Sequence, residues 1–152
     1  MAGASAVRSS TSIWVCRTAS AHSTLSVRTS VAMLSATSQS TQLGGYIIGN
    51  SNLNGRAATV ILNEVNGGSP SQLRGYTEVA GQGAHVILAN PHGISCDGCG
   101  FINTPKVTLS TGRPILENGR LARYDVEGGA IAIEGRGLNA SNVSQFELIT
   151  RS

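Results

Sequence analysis

Cys96-Asp97-Gly98-Cys99 is the stretch whose residue types and spacing most directly suggest chemistry. Two thiols so close in the chain could serve redox exchange, metal binding or a local crosslink. Redox exchange needs a strand-to-helix setting, and no helical pattern follows the pair. Zinc needs four ligands, and His85 and His92 are the nearest candidates to complete the set. His85 precedes an apolar run and His92 sits in a turn signal, so nothing forces the four together. A disulfide between Cys96 and Cys99, clamping one corner in an oxidising compartment, is the preferred reading. A free thiol pair is the alternative. A loop this short places the stabilisation at the low end for disulfides.

Acid–base and nucleophilic chemistry find less support. No Gly-x-Ser-x-Gly elbow, Walker loop or dinucleotide-type glycine pattern occurs. A polysaccharide-active enzyme, the alternative function for such a chain, would need paired carboxylates or a calcium-binding acidic cluster. The Asp residues are Asp97 and Asp125, and the six Glu are scattered. Glu127 and Glu134 flank the Ala130-Ile131-Ala132-Ile133 run and read as its solvated ends. Arg74, Arg120, Arg123 and Arg136 read as surface charges. The expectation is a non-enzymatic chain with no catalytic residue, metal or cofactor.

The elements that must position these residues are short strands between hard corners. Val86-Ile87-Leu88 is strand-like. Asn90-Pro91-His92-Gly93 then matches a type I turn position by position. Ile94 restarts an apolar run, and Gly100-Phe101-Ile102 reads as the start of another strand. Self-similarity extends the rhythm: Val60-Ile61-Leu62-Asn63 recurs as Val86-Ile87-Leu88-Ala89, 26 residues later. Gly45-Tyr46-Ile47, Gly75-Tyr76-Thr77 and Gly100-Phe101-Ile102 form a second series. Short strands repeating at this interval, with Gly and Asn at the corners, predict the coils of a parallel β-helix in preference to a β-sandwich. Asn63, Asn90, Asn103 and Asn139 are expected at equivalent corners, where their side chains could form ladders. Asn118-Gly119 is the best hairpin signal and predicts an excursion over residues 113–124.

Composition agrees. Aromatics are 4% and charged residues 12%, with 19 Gly, so the core must be aliphatic and the turns tight. The net charge of +3 comes from Arg8, Arg17 and Arg28 in residues 1–42, which hold no Asp or Glu. The remaining chain balances eight Lys/Arg against eight Asp/Glu, and nucleic acid is rejected as a partner. Residues 1–42 form a separate Ser/Thr-rich segment, 17 of 42 residues, with no secretory signal pattern. It is expected to be disordered or translated out of frame, which gives Cys16 no role, and residues 43–152 form the domain.

Asn90-Pro91-His92-Gly93-Ile94 resembles the Asn-Pro-Asn-Gly-Ile motif of the two-partner secretion domain, as in filamentous haemagglutinin. Asn50-Ser51-Asn52-Leu53 resembles that domain's Asn-Pro-Asn-Leu motif, upstream in the same order. The run from Cys96 to Pro105 is similar to contact-dependent growth inhibition exoproteins of that family. Ser51 stands where the motif has proline, and His92 where it has asparagine. The resemblance implies an all-β chain forming a right-handed parallel β-helix near the start of a long secreted or cell-surface exoprotein. It further implies recognition by an outer-membrane β-barrel transporter, with the two Asn motifs as turns required for secretion. Folding would nucleate a longer shaft, and host or neighbouring-cell surfaces would be met by other parts of the exoprotein. The chain is expected to be a fragment whose first coil is uncapped and therefore prone to self-association.

Overall fold

The computed structural model describes residues 5–8, 13–18, 27–32, 39–41, 45–47, 59–65, 67–79, 81–118 and 120–151, with side chains from Thr59 onward. Asn50, Ser51, Asn52, Leu53 and Gly119 lie outside the described residues. In chain order the strands are β1 (Ser5–Arg8), β2 (Ile13–Thr18), β3 (Val27–Ala32), β4 (Gln39–Thr41) and β5 (Gly45–Ile47). Then come β6 (Val60–Val65), β7 (Ser71–Val79), β8 (His85–Ala89), β9 (Ile94–Ile102) and β10 (Lys106–Ser110). The last are β11 (Arg113–Glu117), β12 (Arg120–Asp125), β13 (Ile131–Asn139) and β14 (Gln145–Ile149).

Two sheets carry the architecture. The first has the order β1-β2-β6-β8-β10-β14 and the second β3-β7-β9-β13. The chain alternates between them, so β2–β3, β6–β7, β8–β9 and β10–β13 are successive coils and β14 begins another. Except for β1 against β2, every pair within these sheets is parallel. This is a parallel β-helix, as the repeats predict. Two antiparallel hairpins, β4–β5 and β11–β12, leave the coils.

The stacking follows from side-chain alternation. Ile61, Val86, Val107 and Phe146 occupy one register row of the first sheet. They face inward, where Val107 joins Leu73, Ile94, Cys96, Cys99 and Phe101 from the second sheet. Leu62, Ile87 and Ala89 have the opposite parity and point outward, yet all are buried. The β11–β12 hairpin supplies their cover, packing Leu116, Leu121 and Tyr124 over them. Burying Leu62 and Ile87 is worth about 1.5–3 kcal/mol each.

Several expectations require correction. Ile61 lies opposite Val86, so the repeat is 25 residues, one fewer than the matched letters indicate. The next coil takes 21, from Val86 to Val107, because only the strand pairing is constrained, not the corner length. Gly100-Phe101-Ile102 ends β9 and starts no new strand. The aromatic series is not a column either. Tyr76 is opposite Gly100 and Phe101 opposite Thr77, while Gly45-Tyr46-Ile47 belongs to the β4–β5 hairpin.

The composition boundary near residue 42 is not a boundary of the sheets. β2 pairs with β6 through six consecutive residues, and β3 pairs with β7. Disorder therefore does not extend to those strands, and the coil formed by β6 and β7 is covered, not open. The Asn ladder is absent among the described residues. Asn63 sits within β6 opposite Leu88, with its Nδ2 donating to the Ile87 carbonyl at 3.4 Å, and Asn90, Asn103 and Asn139 bond to the groups described below.

Candidate functional site

The corner between β8 and β9 joins three consecutive coils. Asn90 N–H donates to the Ser110 carbonyl on one side (2.9 Å). On the other side its Nδ2 donates to the Ser69 carbonyl (2.9 Å) and to Ser71 Oγ (2.8 Å). Its Oδ1 accepts from His92 N–H at 3.0 Å, and its carbonyl accepts from Gly93 N–H at 3.1 Å. The last bond closes the type I turn that the residue order predicts. Gly93 extends the stack, its carbonyl accepting from Ser71 N–H, while Ile94 N–H donates to the Ala130 carbonyl. Gly93 has φ +116°, and a Cβ there would lie 3.1 Å from the Ala130 oxygen. Glycine answers both demands. Asn90, Gly93 and Ile94 are buried, Pro91 is half-buried and His92 is exposed.

The cysteines occupy a bend inside β9. Cys96 and Cys99 are joined by a disulfide with Cα atoms 5.5 Å apart, and both are buried in the core. Gly98 takes φ +72° at the bend, where pairing with both β7 and β13 shifts register. Asp97 turns outward and its Oδ1 accepts from Arg136 N–H at 2.9 Å. That bond, together with the Arg136 guanidinium, holds the Asp97 carboxyl below the usual carboxylate range. Asn103 and Asn139 bond to the second coil: Asn103 Nδ2 donates to the Val79 and Gly81 carbonyls, and Asn139 Nδ2 donates to Tyr76 Oη within β7.

His85 is not directed toward the cysteines. Its Nε2 lies 2.8 Å from Thr108 Oγ1 on the outer face of the first sheet. The Thr108 hydroxyl donates its single proton to Glu147 Oε2 at 2.8 Å, so His85 Nε2 is the donor to Thr108. Lys106 Nζ completes the group 3.0 Å from Glu147 Oε1. Burial, then the Lys106 charge, holds His85 below its ordinary value, with Glu147 opposing. Hydrogen bonds from Lys106 and Thr108 lower Glu147. Tyr124, on the covering hairpin, is pushed up to about 12, mainly by burial. Among the described residues, no three His, Cys, Asp or Glu gather as a metal set would require.

A cavity of about 290 Å³ lies beside the Asn90 corner. Glu64 and Gly67 come from one coil, Pro91 and His92 from the next, and Arg113 and Pro114 from the base of the β11–β12 hairpin. Of these, sequence reasoning singled out Pro91 and His92. Glu64, Arg113 and Pro114 carry no motif, and only the register and the fold-back of the hairpin bring them there.

The TPS secretion domain family model matches residues 23–152, upstream of the composition boundary as well as beyond it. A protein of Yersinia mollaretii called tRNA nuclease CdiA is 58% identical over 113 residues, 74% of this chain and 4% of that protein. The 16S rRNA endonuclease CdiA of Enterobacter cloacae is 56% identical over 114 residues, 74% of this chain and 3% of that protein. The chain thus spans a few per cent of the length of these relatives. Among solved structures, the crystal structure of the filamentous hemagglutinin secretion domain superposes with a TM-score of 0.81. It is 32% identical and covers 97% of this chain, which spans 53% of it.

Proposed function

Because the chain belongs to the TPS secretion domain family, whose members are secreted exoproteins, we propose that it targets a larger exoprotein to an outer-membrane β-barrel transporter. It acts before export as the recognised segment and after export as the template on which further β-coils form. The role is non-catalytic, and the exoprotein is an adhesin or a carrier for a contact-dependent inhibition toxin. Within the domain, Asn90, Pro91, His92, Gly93 and Ile94 form one secretion determinant and Asn50, Ser51, Asn52 and Leu53 the other.

One observation carries this reading for the first determinant: the Asn90 side chain bonds to the preceding coil, at Ser69 and Ser71. A residue that ties one coil to the one before it suits a segment whose completed fold starts the next coil. The test places a signal peptide before the full chain and co-expresses it with a transporter of the two-partner type. The expected result is transporter-dependent appearance in the medium, reduced by Asn90→Ala. Retention of the unchanged, folded chain in the periplasm with every transporter tried would defeat the targeting role.

A further inference from the structure

We infer that the cavity beside the Asn90 corner is a binding site for a carboxylated sugar, a uronic acid unit, with Arg113 holding the carboxylate. Its volume of about 290 Å³ suits a single pyranose ring. Its walls supply three kinds of group. Arg113 and His92 offer donors, Glu64 offers an acceptor, and Pro91 and Pro114 offer rigid apolar surface.

The charges select the ligand. Among the described residues, neither the Arg113 guanidinium nor the His92 imidazole has a hydrogen-bond or ion-pair partner. Arg123, on the same hairpin, is held by both Glu117 and Asp125. Arg113 is therefore a planar fork of donors left open at a cavity, the geometry that pairs with a carboxylate. Glu64 already has an interaction of its own, but its acidity still disfavours a ligand that is only a carboxylate. A uronic acid meets both conditions, offering a carboxylate toward Arg113 and hydroxyl donors toward Glu64. The two prolines present C–H surface to the ring and lose little freedom on binding. An Asp or Glu side chain of a protein partner would leave Glu64 facing it and most of the cavity empty.

The full chain would be titrated with D-glucuronate and D-galacturonate, following amide shifts by NMR. D-glucose and N-acetyl-aspartate serve as neutral and acidic-peptide comparisons. We expect saturable shifts around Gly67, His92 and Arg113 with Kd of roughly a millimolar, as for a single weakly held sugar. Arg113→Ala should weaken binding about tenfold or more, and Arg113→Lys should restore only part, since charge returns without the fork. Arg113 is exposed, and the same spectra report whether each variant is folded. Silence with both uronates, equal binding of glucose, or binding of N-acetyl-aspartate alone would each overturn the assignment, the last pointing to a protein partner instead.

Discussion

Asn90 concentrates more structure than any other single side chain at the corner. Asn90→Ala removes three hydrogen bonds and leaves Ser69 O, Ser71 Oγ and His92 N–H without that partner, Ser71 fully buried and the other two partly open to water. Stability should fall by about 2–4 kcal/mol, read as a lower urea midpoint with unchanged slope. An unchanged midpoint would mean that water replaces the amide without cost. Gly93→Ala should cost about 1–3 kcal/mol through its positive φ and the approach of the Ala130 oxygen. His92→Asn, which restores the family letter, should be neutral in the same melts, because His92 contributes its backbone N–H to the turn and not its ring. The turn itself was legible, since Asn, Pro and Gly each carry a local backbone preference. The reach of Asn90 Nδ2 into the preceding coil was not, because that partner is set by register and lies 19 to 21 residues away.

At the scale of elements, the outer face of the first sheet links protonation to stability. His85 is held below its ordinary value of 6.5, so the folded chain keeps it neutral where the unfolded chain already takes up a proton. Stability is then unaffected above that value and falls as pH drops below it, until the folded His85 also protonates. Glu147 and Asp97 act in the same direction at lower pH, since carboxyls held low contribute stability that is lost as they protonate. His85→Gln should flatten the decline in thermal midpoint between about pH 7 and 5. A variant with the parent's slope would remove His85 from the account. The disulfide of β9 should contribute about 2 kcal/mol by loop closure. Being buried, it should resist dithiothreitol in the folded chain and be reduced readily in urea, as thiol labelling would show. The strand pattern was legible here, but register was not. A one-residue slip between matching letters exchanges inward and outward faces, which is why Tyr76 and Phe101 read as equivalent and are not.

For the molecule as a whole, the β-helix was legible because every coil repeats one problem, burying an aliphatic strand on its neighbour. The β2 and β3 strands were not, because they lie in a Ser/Thr-rich stretch that lacks the Gly and Asn corner signals by which the later coils were read. Stability should be uneven along the axis. β8 pairs on both sides, with β6 and β10, and β9 pairs with β7 and β13. β13 and β14 are each paired on one side among the described residues, and Ile133 and Leu148 remain exposed there. Amide exchange should therefore be slowest in β8 and β9 and faster in β13 and β14. Uniform protection would indicate that the coils open only together.

The Cys96–Cys99 bond lies wholly within β9, although the core around it draws residues from several coils. A link between coils would turn the unfolded polypeptide into a large closed ring, two chain-widths across wherever it entered a narrow passage. This link closes a knot of four residues and leaves the rest a single filament. An oxidised chain can thus be drawn through a pore almost as a thread, carrying its crosslink already made, and lay down its coils on the far side without a redox step.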